Sequence, residues 1–413
     1  MSEWIESSLN QLVTFQKGRK VDTNSFARDG YAAYLGASGI EGRDDGYGDP
    51  RFGVIARPTD TLMLWDGERS GLVGFGRQGV VASTVSKLSP NEKVEPQYLY
   101  FSLLAMFGWI QHRRTGTGVP HVPKDLGRLL KVNYPKSRTE QQKIAAILST
   151  IDTAIEQTEA LIEKYQHIKA GLMHDLFTRG VLPTGQLRPP REQAPELYQE
   201  TAVGWIPREW EVSGLASKGR AGTSWIRTGP FGSSLKGEHW RIDGHPVITI
   251  GALGTGEFIE SELLFVGTKD ASRLIDFQLR ENDVVFSRVA DVGRSVVVRE
   301  GQSGWIMSSN LMRIAVNQTL LRPDYLQMQL ASDSRVKAQI RASVNSGGRD
   351  VANSEVLNRL RFAIPKPDEQ DRIIGMADRL AQRMNAEMRR VAKLQTQKLG
   401  LMQDLLNGKV SVQ

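Results

Sequence analysis

Residues 139–178, TEQQKIAAILSTIDTAIEQTEALIEKYQHIKAGLMHDLFT, constrain this chain more than any other stretch. Alternating steps of four and three pick out Ile144, Leu148, Ile151, Ile155, Thr158, Ile162, Tyr165, Lys169, Leu172 and Leu176. A mostly apolar stripe on that spacing is what the seam of a coiled coil requires. Forty residues at about 1.5 Å each predict a rod of roughly 60 Å. The same stripe returns 229 residues later as Ile373, Ala377, Leu380, Met384, Glu387, Val391, Leu394, Lys398, Leu401 and Leu405. The two copies match without a gap over 42 positions, share Glu140/Glu369, Gln141/Gln370 and a GLM-x-DL ending, and carry polar residues at the same two steps. Two unrelated amphipathic helices would not converge on those details, so a duplicated rod implies a duplicated protein.

The segments around the rods repeat as well. Residues 1–138 form a first module of short strands, turns and one helix opening at Pro96. Residues 139–180 are the first rod. Residues 181–204, rich in Pro and polar side chains, read as a linker. Residues 205–367 form a second module and residues 368–409 the second rod. Trp210 answers Trp4, VITIGAL at Val247–Leu253 answers YAAYLGA at Tyr31–Ala37, Asp283 answers Asp60, Gly293 answers Gly71 and Pro323 answers Pro96. The modules share a skeleton while their loops differ, the pattern of one scaffold with two readouts. The fold class is α+β, two mixed modules in tandem repeat, each followed by a long helix.

Charge favours a polyanionic partner. The net charge is +7. Residues 1–138 hold 18 Lys and Arg against 14 Asp and Glu, and residues 205–367 hold 21 against 17, so each module carries an excess of four. The rods nearly cancel. An excess in both modules fits binding to nucleic acid.

Signatures of chemistry are missing. The chain has no Cys, which excludes disulfides, thiolate zinc sites and thiol catalysis. Gly74–Gly79 matches G-x-G-x-x-G, but the β-like VVASTV follows it, so a hairpin turn is expected in place of a dinucleotide loop. There is no Walker A lysine, no D/E-x-K nuclease signature and no N/D-P-P-aromatic methyltransferase motif. The six His are scattered without ligand-like spacing, so no metal site is expected. No signal pattern opens the chain, and the uncharged run Tyr98–Ile110 is too short to span a bilayer, so a soluble, cytoplasmic protein is expected.

Four further local motifs stand along the chain: the helix starts at Pro135–Gln141 and Pro365–Gln370, the GWIP entry at Gly204–Pro207, TGPFGSSLK at Thr228–Lys236 and NDVVFSR at Asn282–Arg288. With them and the two rods, the whole chain resembles the specificity subunit of type I restriction-modification enzymes. The first module departs from it, with FQKGRK at Phe15–Lys20 where the second has its GPFGSS loop. The resemblance implies two target-recognition domains, each reading half of a bipartite site in double-stranded DNA across an unread spacer. It implies rods packed as an antiparallel coiled coil, with the halves related by a pseudo-twofold axis. It also implies partners: two methyltransferase (modification) subunits, which bring S-adenosylmethionine, and restriction/translocase subunits. The chain itself would be non-catalytic and bind no cofactor. The rival readings are a protein-binding adaptor built on the coiled coil and, less favoured by the missing motifs, a fused methyltransferase/nuclease enzyme.

Cationic and small polar side chains beside glycines can reach phosphates and base edges. The candidate DNA contacts are therefore Lys17, Arg19, Lys20, Arg69, Arg77, Gln78, Arg113 and Arg114 in the first module, and Arg227, Ser233, Ser234, Lys236, Arg288, Arg294 and Arg349 in the second. Antiparallel rods would set Ile144 by Leu405 and Leu176 by Ile373, with the seam lysines snorkelling to solvent. Leu161, Ile168 and Met173 flank the first seam and are the candidate subunit-docking residues.

Overall fold

The computed structural model describes residues 3–116, 118–345 and 351–412. Contacts divide the chain into two compact units, Met1–Leu161 with Glu387–Gln413, and Ile162–Ala386. Both long helices are present, at Arg138–Thr178 and Pro367–Leu405, and each gives part of its length to each unit.

In the first unit a four-stranded antiparallel sheet has the order Val13–Lys17, Val85–Pro90, Thr61–Leu64, Val73–Gly74. In the second unit the sheet Ile226–Thr228, Leu311–Ala315, Asp283–Ser287, Ser295–Val297 repeats that order. Each unit also has a second sheet, five-stranded in the first unit and four-stranded in the second, in which one pair is parallel, Ala32–Leu35 with Gly79–Val81 and His245–Ile248 with Ile306–Met307. A strand pair enters each rod, Trp4–Ser8 with Lys131–Pro135 and Glu211–Ser213 with Phe362–Ile364.

Several identities across the repeat now have a cause. Gln141 donates to the carbonyls of Lys93 and Pro135 while its own oxygen accepts from Glu95 N–H at 2.7 Å. Gln370 does the same with Leu320, Pro365 and Arg322 N–H. Both are fully buried. The equivalent tyrosines tie the module helix to the strand entering the rod, Tyr98 donating to Asn133 C=O and Tyr325 to Ala363 C=O.

The long helices run antiparallel inside each unit. In the first, Asp152 meets Lys398 at 2.5 Å, and Ile144 and Leu148 share a core with Met402 and Leu405. In the second, Leu176 and Ile373 share a core. Three sequence expectations change here. Lys398 does not snorkel to water; it pairs with Asp152 across the helices and lies over the Phe101 ring. Gly74–Gly79 is not a hairpin, because Val73–Gly74 pairs in one sheet and Gly79–Val81 in the other, so the turn links two sheets. Residues 181–204 are not a loose linker. They lead into a hairpin, Tyr198–Thr201 with Gly204–Pro207, and bury Arg188 against Glu369 in the second rod.

Candidate nucleic-acid interface

Each principal sheet presents an edge strand whose end releases a loop. Strand Val13–Lys17 ends at Gly18, whose N–H donates to Val85 C=O at 2.9 Å. Strand Ile226–Thr228 ends at Gly229, whose N–H donates to Leu311 C=O at 2.9 Å. A β-carbon on Gly18 would lie 2.0 Å from Ala82 O, and one on Gly229 1.9 Å from Ser308 O. Only glycine allows that approach of one backbone to another. The two glycines are equivalent, and beyond them the sequences diverge into RKVDTN and PFGSSL.

Arg19 and Lys20 stand exposed directly after the first glycine. Lys17 just before it pairs with Asp66 at 3.0 Å, and Asp66 also takes His121 Nδ1 at 2.7 Å. Arg69 bonds Glu41 at 2.9 Å. Burial pushes the Glu41 carboxyl up, but the hydrogen bonds and charges of Arg69 and Arg43 outweigh it and hold it below its ordinary range. Arg77 lays its guanidinium over Gly42 and, with the exposed Gln78, lines a cleft of about 310 Å³ with Asp44 and Asp45. Arg113 stacks over Trp109 at 4.0 Å. Half-buried Arg114 donates to the carbonyls of Glu68 and Gln111, which makes it a brace for its loop.

In the second module Lys236 and Ser233 are exposed and Ser234 is half-buried. Arg227 reaches Asp276 at 3.1 Å and lies over Phe277. Arg288 is half-buried, donating to Ala352 C=O at 3.2 Å and lying 3.5 Å from Ser309 C=O; Arg294 donates to Ile250 C=O at 3.1 Å. Those two arginines brace loops as much as they offer charge. Arg349 lies outside the described residues. Behind this face Asp283 is fully buried against Arg220 at 3.0 Å, and burial raises its pKa in spite of that neighbour and Arg313. Its backbone cap on Arg280 N–H repeats the cap of Asp60 on Arg57 N–H, so the acid shapes the turn.

Sequence reasoning missed one cluster. Phe15 and Trp65 meet edge to face at 6.2 Å, and with Lys17, Lys124 and Arg128 they line an open cleft of about 570 Å³. Aromatic floors with basic rims suit nucleic acid, but the five side chains come from segments too far apart in sequence to show a pattern. Among the docking candidates, Ile168 is 43% exposed and Leu161 half-buried. Met173 is a correction: it is 7% exposed, packed in the core of the second unit, and not free to meet a partner. The first unit instead offers an apolar groove of about 800 Å³ lined by Leu104, Met106, Phe107, Leu399 and Met402. Among the described residues no His, Asp and Glu cluster could hold a metal ion, and no helix is long and apolar enough to cross a membrane.

Comparison with known proteins agrees with this arrangement. The family model of the type I restriction modification DNA specificity domain matches residues 1–165. The chain is 25% identical over 367 residues to the type I restriction enzyme MjaVIII specificity subunit of Methanocaldococcus jannaschii, covering 87% of this chain and 81% of that protein. It is 21% identical over 412 residues to the EcoBI specificity subunit of Escherichia coli, covering 95% and 83%. The crystal structure of a type I restriction-modification S subunit from M. genitalium matches with a TM-score of 0.61 at 13% identity, over 98% of this chain and 96% of that one, a likeness of fold. On the matched first module, the repeated sheets and the full-length relatives, the chain is similar along most of its length to type I restriction-modification specificity subunits.

Proposed function

We propose that this chain reads a bipartite site in double-stranded DNA, one module to each half, and holds the partner subunits that act there. The observation that carries the reading is the pair Gly18 and Gly229: one backbone device, repeated in two sheets of the same order, releasing loops of different sequence. A repeated scaffold with divergent loops suits two half-sites of different sequence, as tandem modules on duplex DNA require. The positive excess in both modules supports the same partner. The chain binds no cofactor; S-adenosylmethionine belongs to two methyltransferase subunits, and restriction/translocase subunits complete the assembly, in the cytoplasm. The apolar groove between Phe107 and Met402 suits the docking of such a subunit.

The test is a titration of target duplex at several salt concentrations, using the chain assembled with its methyltransferase subunits. Affinity falls steeply with salt, and the double change Arg19→Ala with Lys20→Ala lowers the log–log slope by about 0.9 for each phosphate left without its cation. A protein-binding adaptor would show neither the salt slope nor a preference for one sequence. Labelled S-adenosylmethionine with the chain alone gives no methyl transfer, whereas a fused enzyme would transfer.

A further inference from the structure

Phe231 is 86% exposed at the tip of a turn that is itself well held. Before it, Gly229 is pinned to Leu311 and packed on Ser308. After it, Ser234 N–H returns to Phe231 C=O at 2.8 Å, and Arg273 donates to Ser234 C=O at 2.8 Å. Leu235 then packs on the core around Val247 and Val266. The backbone is built while the ring it carries touches water. Two cations share its loop region, the half-buried Arg227 on the strand before it, paired with Asp276, and the exposed Lys236 just beyond it.

A single exposed Phe is common on protein surfaces. The repeat separates this one from that background. Counting from the equivalent glycines, Pro230 and Phe231 take the places of Arg19 and Lys20. One scaffold position displays two cations in the first module and a rigid ring in the second. A cation there suits phosphates and base edges. An apolar ring offered to DNA among cations suits stacking on a base or insertion at a base step, which unstacks and kinks the duplex. We infer that Phe231 is the wedge of the second module: it stacks on or enters one base step of that module's half-site, where the first module uses Arg19 and Lys20. The inference rests on the DNA-reading function proposed above and adds to it a residue, a mode of contact and an asymmetry between the half-sites.

The experiment uses the assembled methyltransferase complex and the target defined by methylation mapping. Duplexes carry 2-aminopurine at successive positions of the second module's half-site, leaving out the methylated adenine because that base is itself extruded for the reaction. Binding of the unaltered complex raises the fluorescence at one step. Phe231→Ala abolishes that rise and weakens binding about tenfold, a change of about 1.4 kcal/mol. Phe231→Trp keeps both, and the melting temperature of each variant stays that of the parent because the ring makes no core contact. Arg19→Ala with Lys20→Ala weakens binding and leaves the rise intact. A rise that persists in Phe231→Ala at unchanged affinity, or no rise at any position with the unaltered complex, overturns the wedge while leaving site-specific methylation, and so the reading of function, in place. A complex that prefers no sequence overturns both.

Discussion

At the scale of single residues, the charges named from sequence divide into those that face outward and those that also hold the fold. Lys236 is exposed and holds His239 through its backbone, whereas the Arg288 side chain donates to Ala352 C=O. Lys236→Ala is therefore expected to weaken DNA binding with an unchanged melting curve. Arg288→Ala is expected to weaken binding and also to lower stability by about 1–3 kcal/mol, since it strands a buried carbonyl. Thermal unfolding beside a binding titration checks both, and equal melting temperatures would contradict the bracing role. Sequence could name these cations because Arg and Lys beside glycine turns are visible one residue at a time. It could not tell brace from reader, because the carbonyls that Arg288 and Arg294 bind lie tens of residues away.

At the scale of elements, the rods were the most legible part, since a long period in the hydrophobic pattern survives any loop divergence. Their polar interruptions were less so: pairing Lys398 with Asp152 depends on which helix faces lie opposite, and that follows only from packing. Residues 181–204 look like a tether in sequence because they are Pro-rich and lack periodicity, while one buried residue makes the segment a strap. Arg188 and Glu369 are each 4% exposed, with Arg188 Nη2 3.0 Å from Glu369 Oε2 and Val181 N–H 3.0 Å from Oε1. Burial would push Arg188 down, but Glu369 and Glu209 outweigh it and hold its pKa above the ordinary value. Glu369→Ala leaves a buried cation without its partner and is expected to cost about 3–5 kcal/mol, whereas replacing both residues with Met recovers most of that loss. Urea unfolding of the full chain measures it. A loss below about 1 kcal/mol for Glu369→Ala, the range of an exposed pair, would show that the strap is not locked.

At the scale of the whole molecule, the duplication was readable because anchors such as Asp60/Asp283, Gly71/Gly293 and Gln141/Gln370 recur in the same order, and the repeated sheets show what each anchor serves. The equivalence of Gly18 and Gly229 in bonding became visible only once strands Val13–Lys17 and Ile226–Thr228 were seen at the same sheet edge. The central claim is that the modules read independently, each its own half of the site. Exchanging residues 205–366 for the second module of a type I specificity subunit, and mapping methylation in a genome carrying the complete system, tests it most directly. The account predicts that one half of the methylated sequence changes and the other half stays as it was; a change in both halves, or in neither, would contradict it.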